Sequence, residues 1–322
     1  MWGNLLTFTY NARGQRTQVA DSRSGVTTSV YDDKGQLTRR DFSDGVTALR
    51  IDFTYNERGQ IEHITRFGNI AGTFTVAGTT YTYDDAGAIA NILSKDGSNA
   101  TLSSLTFTYD AARRLTAQND GTPVTYTYDN ANQVTSDGTT AVTYDATGNR
   151  NNGSYTTTTG NRLTSDGIYN YTYDAEGNLS KKILIADSSA WKYGYDHWNH
   201  LVSAKKFTED PDTYGTAVLQ LEANYKYDVL GNRMEKSVDI DGVGAGSATA
   251  TRYAFDGWNP AKPGAVGQEN FDVWATFNGS GDLTRRFLEG DAVDEHLARI
   301  EGSNAYWYLI RQRTLTHIAR IL

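Results

Sequence analysis

The stretch Tyr173-Asp174-Ala175-Glu176-Gly177-Asn178-Leu179 decides the fold, because near-copies of it recur from one end of the chain to the other. In each copy an aromatic residue is followed by Asp or Asn, two variable residues, usually a Gly and then an aliphatic residue. The eleven copies begin at Tyr10, Tyr31, Tyr55, Tyr83, Tyr109, Tyr128, Tyr144, Tyr173, Tyr195, Tyr227 and Phe255, at spacings from 16 to 32 residues. Repetition on this scale is typical of arrays in which each unit buries its apolar face against its neighbours.

The Asp-x-x-Gly centre of each copy predicts a tight turn. Asp opens a type I turn because its carboxylate accepts hydrogen bonds from the backbone amides that follow, and Gly or Asn tolerates the positive φ that closes it. Asn132, Asn199 and Asn259 take the place of Gly, whereas Arg113 departs from both, so we expect a strained turn or another turn type there. The structural turn residues that we single out are Tyr31, Asp32, Gly35, Tyr83, Asp84, Gly87, Tyr144, Asp145, Gly148, Tyr173, Asp174, Gly177, Tyr227, Asp228 and Gly231.

The residues on either side of each turn alternate as β-strands do. Before the turn, aromatic residues such as Tyr171 alternate with threonines such as Thr172, and an aliphatic residue such as Leu179 begins the return strand. The pattern predicts an all-β fold, an array of β-hairpins that forms a long curved or spiralling antiparallel sheet. A lone hairpin is marginal in water, so neighbouring hairpins must bury one another's aromatic face. The one helix that we expect covers residues 293–300, capped by Asp291.

The composition excludes several classes of protein. The chain has 322 residues, no cysteine and a formal net charge of −8. It therefore has no disulfide or cysteine metal site, and it lacks the basic balance that nucleic-acid binding requires. It also has neither the run of about 18 apolar residues typical of a membrane-spanning helix nor a signal-peptide pattern at its start. We expect no nucleic-acid partner and no membrane span. We expect either that the chain begins partway through a larger protein or that its start was wrongly assigned.

The candidate chemical groups favour structure over catalysis. A glycosidase needs two carboxylates at a set distance, but here one Asp stands at the same place in every turn. His197 and His200 flank Trp198 without a third metal ligand, and the stretch from Asp239 to Gly242 lacks the later ligands of a calcium loop. We predict no catalytic residue, no metal site and no cofactor. The tyrosines could stack on sugars, although a packed core stripe is the favoured interpretation.

The pattern Tyr-x-Tyr-Asp-x-x-Gly-Asn-[Leu/Arg] resembles the YD repeats of RHS proteins, over the chain from Leu5 to about Leu309. The sequences Arg286-Phe287-Leu288-Glu289-Gly290 and Tyr306-Trp307-Tyr308-Leu309 resemble the lead-in to the RHS core. The resemblance implies a hairpin array over residues 1–285, a core lead-in over 286–309 and a degraded or truncated core-like tail over 310–322. In that tail Arg313 and His317 stand where the family has Gly and Asp, so we expect no self-cleavage.

RHS proteins, with the related teneurins and insecticidal toxin complexes, wind such hairpins into a hollow shell, and bacterial members commonly enclose a C-terminal toxin. The resemblance implies a secreted or surface-exposed, non-enzymatic shell segment. Its partner is a C-terminal toxin or effector domain of the full-length protein, which is absent from this sequence. The alternative hypothesis is a carbohydrate- or cell-wall-binding repeat module with cell-surface glycans as partners. A self-cleaving enzyme is the least favoured hypothesis.

Overall fold

A computed structural model describes residues 3–260, 270–291, 295–311 and 314–320. In these ranges the regular elements are antiparallel β-strands joined in hairpins that follow one another in sequence order. The prediction of an all-β array of hairpins is confirmed. No helix in the described ranges is long and apolar enough to cross a membrane.

The chain divides into two compact units, which we describe separately. The first contains Met1–Tyr126, Ala254–Thr276 and Leu283–Leu322, and the second contains Thr127–Tyr253 and Phe277–Asp282. The first unit holds β1 (Leu6–Tyr10), β2 (Arg16–Asp21), β3 (Val26–Tyr31), β4 (Leu37–Ser43), β5 (Ala48–Tyr55), β6 (Ile61–Phe67), β7 (Thr75–Tyr83), β8 (Ile89–Asp96), β9 (Thr101–Tyr109), β10 (Leu115–Asn119) and β11 (Pro123–Thr125).

The second unit begins with a two-stranded ribbon and continues with longer hairpins. It holds β12 (Thr127–Tyr128), β13 (Val134–Ser136), β14 (Tyr155–Thr158), β15 (Arg162–Asp166), β16 (Tyr169–Tyr173), β17 (Leu179–Leu184), β18 (Ala190–Tyr195), β19 (Leu201–Phe207), β20 (Leu219–Tyr227) and β21 (Arg233–Asp239). The strands β22 (Thr249–Phe255) and β23 (Val273–Asn278) have residues in both units. The first unit resumes with β24 (Leu283–Glu289), β25 (His296–Glu301), β26 (Asn304–Arg311) and β27 (Thr314–Arg320).

A β-bulge stands at the start of most repeat turns. The register shifts between Thr54 and Tyr55, and again between Thr172 and Tyr173, immediately before the Asp or Asn that opens the turn. The bulge is the expected companion of a type I turn closed by a left-handed residue, because the extra residue must be absorbed before the ladder resumes.

The aromatic face of the first unit is covered by strands from the end of the chain. Phe53 on β5 is 4% exposed and packs in one core cluster with Leu297 on β25 and Trp307 on β26, which are 1% and 0% exposed. The first unit therefore has two layers, with β24 to β26 closing the apolar face of the first sheet. Burying a side chain of this size stabilises the fold by roughly 1.5–3 kcal/mol.

The second unit uses the same repeat without burying its aromatic residues. In Thr127–Tyr253, all of which the structure describes, the buried apolar residues are Val142, Ala190, Ala204 and Ala223. The tyrosines that correspond in the repeat to Phe53 are only half-buried there, as Tyr171, Tyr193 and Tyr225 illustrate. No large apolar side chain within this range is buried beneath a second layer.

Two local predictions are wrong. Residues 296–300 form most of strand β25 instead of a helix, because they pair with β24 and β26; residues 293 and 294 lie outside the described ranges. Asn259 does not close a repeat turn, because the amide of Asp256 donates to the carbonyl of Asp272 instead of to a residue four positions on. Asn259 is instead buried against the side chain of Asn270.

Arg113 adopts the left-handed conformation of its glycine counterparts. Its φ is +65°, and its amide donates to the carbonyl of Asp110 at 2.9 Å, as in the other turns. The turn is therefore of the same type and is strained at this residue, and the alternative of a different turn type is wrong. The guanidinium donates to the carbonyl of Ala86 at 2.8 Å, which offsets part of that strain.

We predict that Gly14→Ala lowers the free energy of unfolding by about 1 kcal/mol, the cost of a Cβ in the left-handed region. Gly14 has a φ of +78°, and a Cβ built there meets nothing within 4 Å, so the effect isolates the backbone conformation. Gly78 lies within β7, and a Cβ there also meets nothing within 4 Å. Gly78→Ala is the matched control and should leave stability unchanged or raise it. Equal urea midpoints for the two variants would contradict the turn assignment.

Candidate functional site

The five predicted turn motifs share one hydrogen-bonded geometry. In each, the amide of the left-handed glycine donates to the carbonyl of the Asp, at 2.9 to 3.2 Å, and the φ of the glycine lies between +80° and +94°. The Asp carboxylate accepts the amide of the residue four positions on, at 2.7 to 2.9 Å. Each pair forms a tight turn of its own, namely Asp32 and Gly35, Asp84 and Gly87, Asp145 and Gly148, Asp174 and Gly177, and Asp228 and Gly231.

The hydroxyl of the repeat tyrosine links each hairpin to the one before it. Tyr83 donates to the carbonyl of Ile61 at 2.6 Å, and Tyr173 donates to the carbonyl of Leu163 at 2.8 Å. The acceptor is the first residue of the return strand of the previous hairpin, or the second in the case of Leu163 on β15. The same bond, at 2.7 to 3.2 Å, is made by Tyr31, Tyr55, Tyr109, Tyr144, Tyr195 and Tyr227. We call this set of eight bonds the tyrosine ladder.

A second row of bonds joins the turns themselves in the first unit. The side-chain amides of Gln15, Gln36 and Gln60 donate to the carbonyls of Gly35, Gly59 and Gly87, at 2.9, 3.1 and 2.9 Å. Each Gln follows the left-handed residue of its own turn and reaches the left-handed residue of the next turn. The sequence shows these glutamines, but it does not show their acceptors, which only the pairing of the hairpins brings within reach.

The turn carboxylates are engaged in the fold, and Asp145 shows what these hydrogen bonds do to its acidity. Hydrogen bonds from the Asn149 side chain, from the Thr147 hydroxyl and from the Asn149 amide lower the pKa of Asp145 to about 2. A carboxylate so held stays ionised near neutral pH and accepts hydrogen bonds, so it is unsuited to act as a general acid. Burial raises the pKa of Tyr31 to about 12, so its hydroxyl keeps the proton that it donates.

The other candidate groups are also engaged locally. His200 contacts the Asp196 carboxylate at 3.0 Å and stacks on Tyr227, whereas His197 packs against Trp198. The carboxylate of Asp241 accepts the amide of Gly246 at 2.9 Å within its own loop. In the described part of the chain no group of three or more His, Cys, Asp or Glu side chains could hold a metal ion.

Sequence reasoning missed a group of buried charges in the first unit. Arg16 on β2 pairs with Asp256 at 2.6 Å, and Arg286 on β24 pairs with Asp21 at 2.8 Å and with Asp44 at 3.2 Å. The partners are separated by 240 residues or more in sequence, so no local sequence pattern predicts them. These pairs fix where the C-terminal strands lie on the first sheet, since an uncompensated buried charge is strongly destabilising.

A cavity of about 60 Å³ lies beside these charges. It is lined by Arg16, Arg40, Asp256, Asp272 and Glu289, among others. Burial raises the pKa of Asp256 to about 6, against the lowering effect of Arg16. Burial likewise raises the pKa of Glu289 to about 7, against its hydrogen bond with His296. The two carboxyls are therefore held partly protonated near neutral pH, in contrast to Asp145.

We predict that Tyr83→Phe lowers the free energy of unfolding by about 1 kcal/mol, because it leaves the half-buried Ile61 carbonyl without its donor while it keeps the ring. Tyr10→Phe is the matched control, because Tyr10 belongs to the first copy and is 44% exposed. Urea unfolding followed by far-ultraviolet circular dichroism measures both. If Tyr10→Phe lowers the free energy of unfolding as much as Tyr83→Phe does, the proposed role of the tyrosine ladder is wrong.

We predict that stability falls as pH rises from about 4 to about 7, because the unfolded chain releases the protons of Asp256 and Glu289 at lower pH than the folded chain does. The raised pKa of each carboxyl contributes stability that is complete below its ordinary pKa and is lost as pH passes its folded value. Asp256→Asn combined with Glu289→Gln should flatten most of this slope. If the urea midpoint of the double variant falls with pH as much as that of the unsubstituted chain, other groups cause the fall.

Residues 3–159 match the Teneurin YD-shell family. No curated protein matches the sequence. The chain is similar to one in the crystal structure of TcdB2-TccC3-Cdc42, with 14% identity and a TM-score of 0.46, over 88% of this chain and 18% of that chain. It is also similar to the Photorhabdus luminescens Tc holotoxin pore carrying a TccC3 mutation, with 15% identity and a TM-score of 0.44, over 88% and 17% of the two chains.

This chain thus spans less than a fifth of the length of those two structures. At such TM-scores the structural similarity carries no argument, and the assignment depends on the family match and on the repeat. The Asp turn and the tyrosine ladder run through the matched region and continue beyond it to Tyr227 and Asp228. Residues 3–159 therefore match the Teneurin YD-shell family, and the same YD repeat continues along the chain beyond them.

Proposed function

We propose that this chain is a non-enzymatic segment of a YD shell that, in the full-length protein, encloses and delivers a C-terminal toxin or effector polypeptide. One observation carries the proposal: the aromatic face of the first sheet is covered by a polypeptide, the strands β24 to β26. A shell that encloses a polypeptide needs a face that can pack against polypeptide, and this face of the repeat does so. Delivery places the protein outside the producing cell, either secreted or at the cell surface.

The chemistry of the turns supports a structural role. Every turn carboxylate that the structure describes in the five predicted motifs accepts backbone amides of its own turn. A catalytic pair of carboxylates would need two such groups converging on one substrate with separated pKa values. The repeat instead spaces single carboxylates along a row of turns, one for each hairpin.

Glycan binding has less support than enclosure. Tyrosines bind sugars through the ring face and the hydroxyl together. In the tyrosine ladder the hydroxyl is already donated to the neighbouring hairpin, so it is not available to a sugar. The tyrosines on the second unit's sheet that lie outside the ladder are half-buried, as Tyr193 and Tyr225 illustrate.

The proposal keeps the division at residues 285 and 309. The array over residues 1–285 provides the wall, and the lead-in over 286–309 comprises the end of β24, β25 and most of β26, which cover the first sheet. The tail over 310–322 stays a prediction from the family pattern.

We predict that the C-terminal part of the complete natural protein resists trypsin while the shell is intact. In a variant carrying Tyr55→Phe, Tyr83→Phe and Tyr109→Phe, each lost hydrogen bond costs about 1 kcal/mol of stability. Trypsin should therefore digest the C-terminal part of this variant about tenfold faster or more. The matched control carries Tyr10→Phe alone. Digestion of the C-terminal part at the same rate in the intact protein and as a separate domain would contradict the proposed enclosure.

A further inference from the structure

One face of the second unit carries aromatic and cationic side chains in alternation. Direct cross-strand pairing places Tyr171, Lys182, Trp191, Lys206 and Leu221 in one row over five strands, β16 to β20. Tyr193 lies on the same face beside Trp191, with the two ring planes 6° apart, and Lys236 pairs with Tyr225 farther along. We call this surface the lysine–aromatic face. Strands lie roughly 4.8 Å apart, so cations recur about every 10 Å along the row.

The lysines of this face form no salt bridge in the described part of the chain, although hydrogen bonds to Asp187 and, to a smaller extent, the nearby charge of Lys206 lower the pKa of that carboxyl. The lysines of the opposite face are paired with carboxylates. On the opposite face Lys181 pairs with Asp210, Lys192 with Asp212, and Lys205 with Glu222, at 2.6 to 3.1 Å.

On the lysine–aromatic face, Lys182, Lys206 and Lys236 make no ion pair with any carboxylate that the structure describes. Lys182 lies 4.3 Å from the centre of the Tyr169 ring. Asp166 reaches the edge of the face and is occupied by the Tyr171 hydroxyl and two backbone amides.

The first unit shows what occupies the equivalent face. There the cross-strand row runs through Ser29, Arg40, Ile51, Arg66 and Ala77, again with a cation on every second strand. Arg40 and Arg66 occupy the same positions, relative to the first aliphatic residue of their return strands, as Lys182 and Lys206.

Both arginines are capped by the covering strands and their flanks. Arg40 donates to the carbonyl of Glu289 and pairs with Asp291 at 2.7 Å, and Arg66 donates to the carbonyl of Tyr308 at 3.2 Å. The cations of this repeat face are thus satisfied by polypeptide carbonyls and carboxylates, while the apolar residues between them are buried beneath the same strands.

We propose that the lysine–aromatic face is a docking surface for an extended, acidic polypeptide segment, which covers the aromatic rings and neutralises the lysines. That the bound segment, the guest, comes from the enclosed polypeptide rests on the proposed function. That it is acidic rests on the lysines of this face, which form no ion pair within the described ranges. A guest whose carboxylates meet Lys182 and Lys206 gains complementary charge, and one whose apolar side chains meet Trp191 and Tyr193 gains buried area. A polypeptide is favoured over a sugar because a polypeptide covers the equivalent face in the first unit.

The test uses the full chain and a fluorescein-labelled, unstructured peptide in which Glu and Leu are spaced by Gly and Ser. A second peptide has Gln in place of every Glu, and a uronic-acid oligosaccharide of similar charge is the third probe. Fluorescence anisotropy at low salt measures binding of the peptides, and competition measures binding of the sugar. The variant is Lys182→Gln with Lys206→Gln, and the matched control is Lys192→Gln with Lys205→Gln on the opposite face.

We expect the Glu peptide to bind at least about tenfold more tightly than the Gln peptide, and the variant to lose about tenfold while the control stays within about twofold. Circular dichroism confirms that both remain folded. Equal binding of the two peptides, equal losses in variant and control, or displacement by the sugar at lower concentration than by unlabelled Glu peptide would each overturn the proposal. If the trypsin experiment succeeds and this one fails, the shell function stands and only the docking surface is wrong.

Discussion

The hydrogen bond from the repeat tyrosine to the main chain of the preceding hairpin is the constraint on which the array depends. Neighbouring hairpins pair through the main chains of their strands. Their turns would splay apart without the tyrosine hydrogen bond, which lies at the turn end of each hairpin. A hydroxyl that reaches the start of the previous return strand sets both the spacing and the order of the units. Phe255 is the one copy that lacks this hydroxyl, and it is also the copy in which the turn is replaced by pairing with Asp272.

The two units show that one repeat serves two different packing arrangements. In the first, β24 to β26 bury the aromatic face and place arginine–carboxylate pairs within it. Buried pairs of this kind add little net stability, because desolvation cancels much of their attraction, but a mismatch between the partners is costly. Arg286 between Asp21 and Asp44 therefore acts chiefly to fix the position of the covering strands. In the second unit the same face carries lysines, whose ammonium groups are more strongly hydrated than guanidinium groups and so remain stable in contact with water.

The sequence predicts the parts of this structure that depend on neighbouring residues in the chain. The left-handed glycine at Gly177, the carboxylate of Asp174 that opens the turn, and the alternation of Tyr171 with Thr172 are all local consequences of turn and strand geometry. The acceptor of the Tyr173 hydroxyl is not predictable in this way, because it belongs to another hairpin whose register is set by a bulge. The covering of Phe53 by Trp307 is less predictable still, since it joins segments at opposite ends of the chain. The helix predicted at residues 293–300 is wrong for the same reason. Pairing of residues 296–300 with β24 and β26 outweighs a weak local preference for helix.

The central claim is that the aromatic face of the repeat is covered in the first unit and open in the second. Hydroxyl-radical footprinting with mass spectrometry measures this directly, since it reports the solvent access of each aromatic side chain in the intact chain. The account predicts fast oxidation of Trp191, Tyr193 and Tyr225 and slow oxidation of Tyr81, Phe107 and Trp307, which are 7%, 5% and 0% exposed. Equal oxidation of the two sets, or protection of Trp191 and Tyr193 in the absence of a partner, would contradict it.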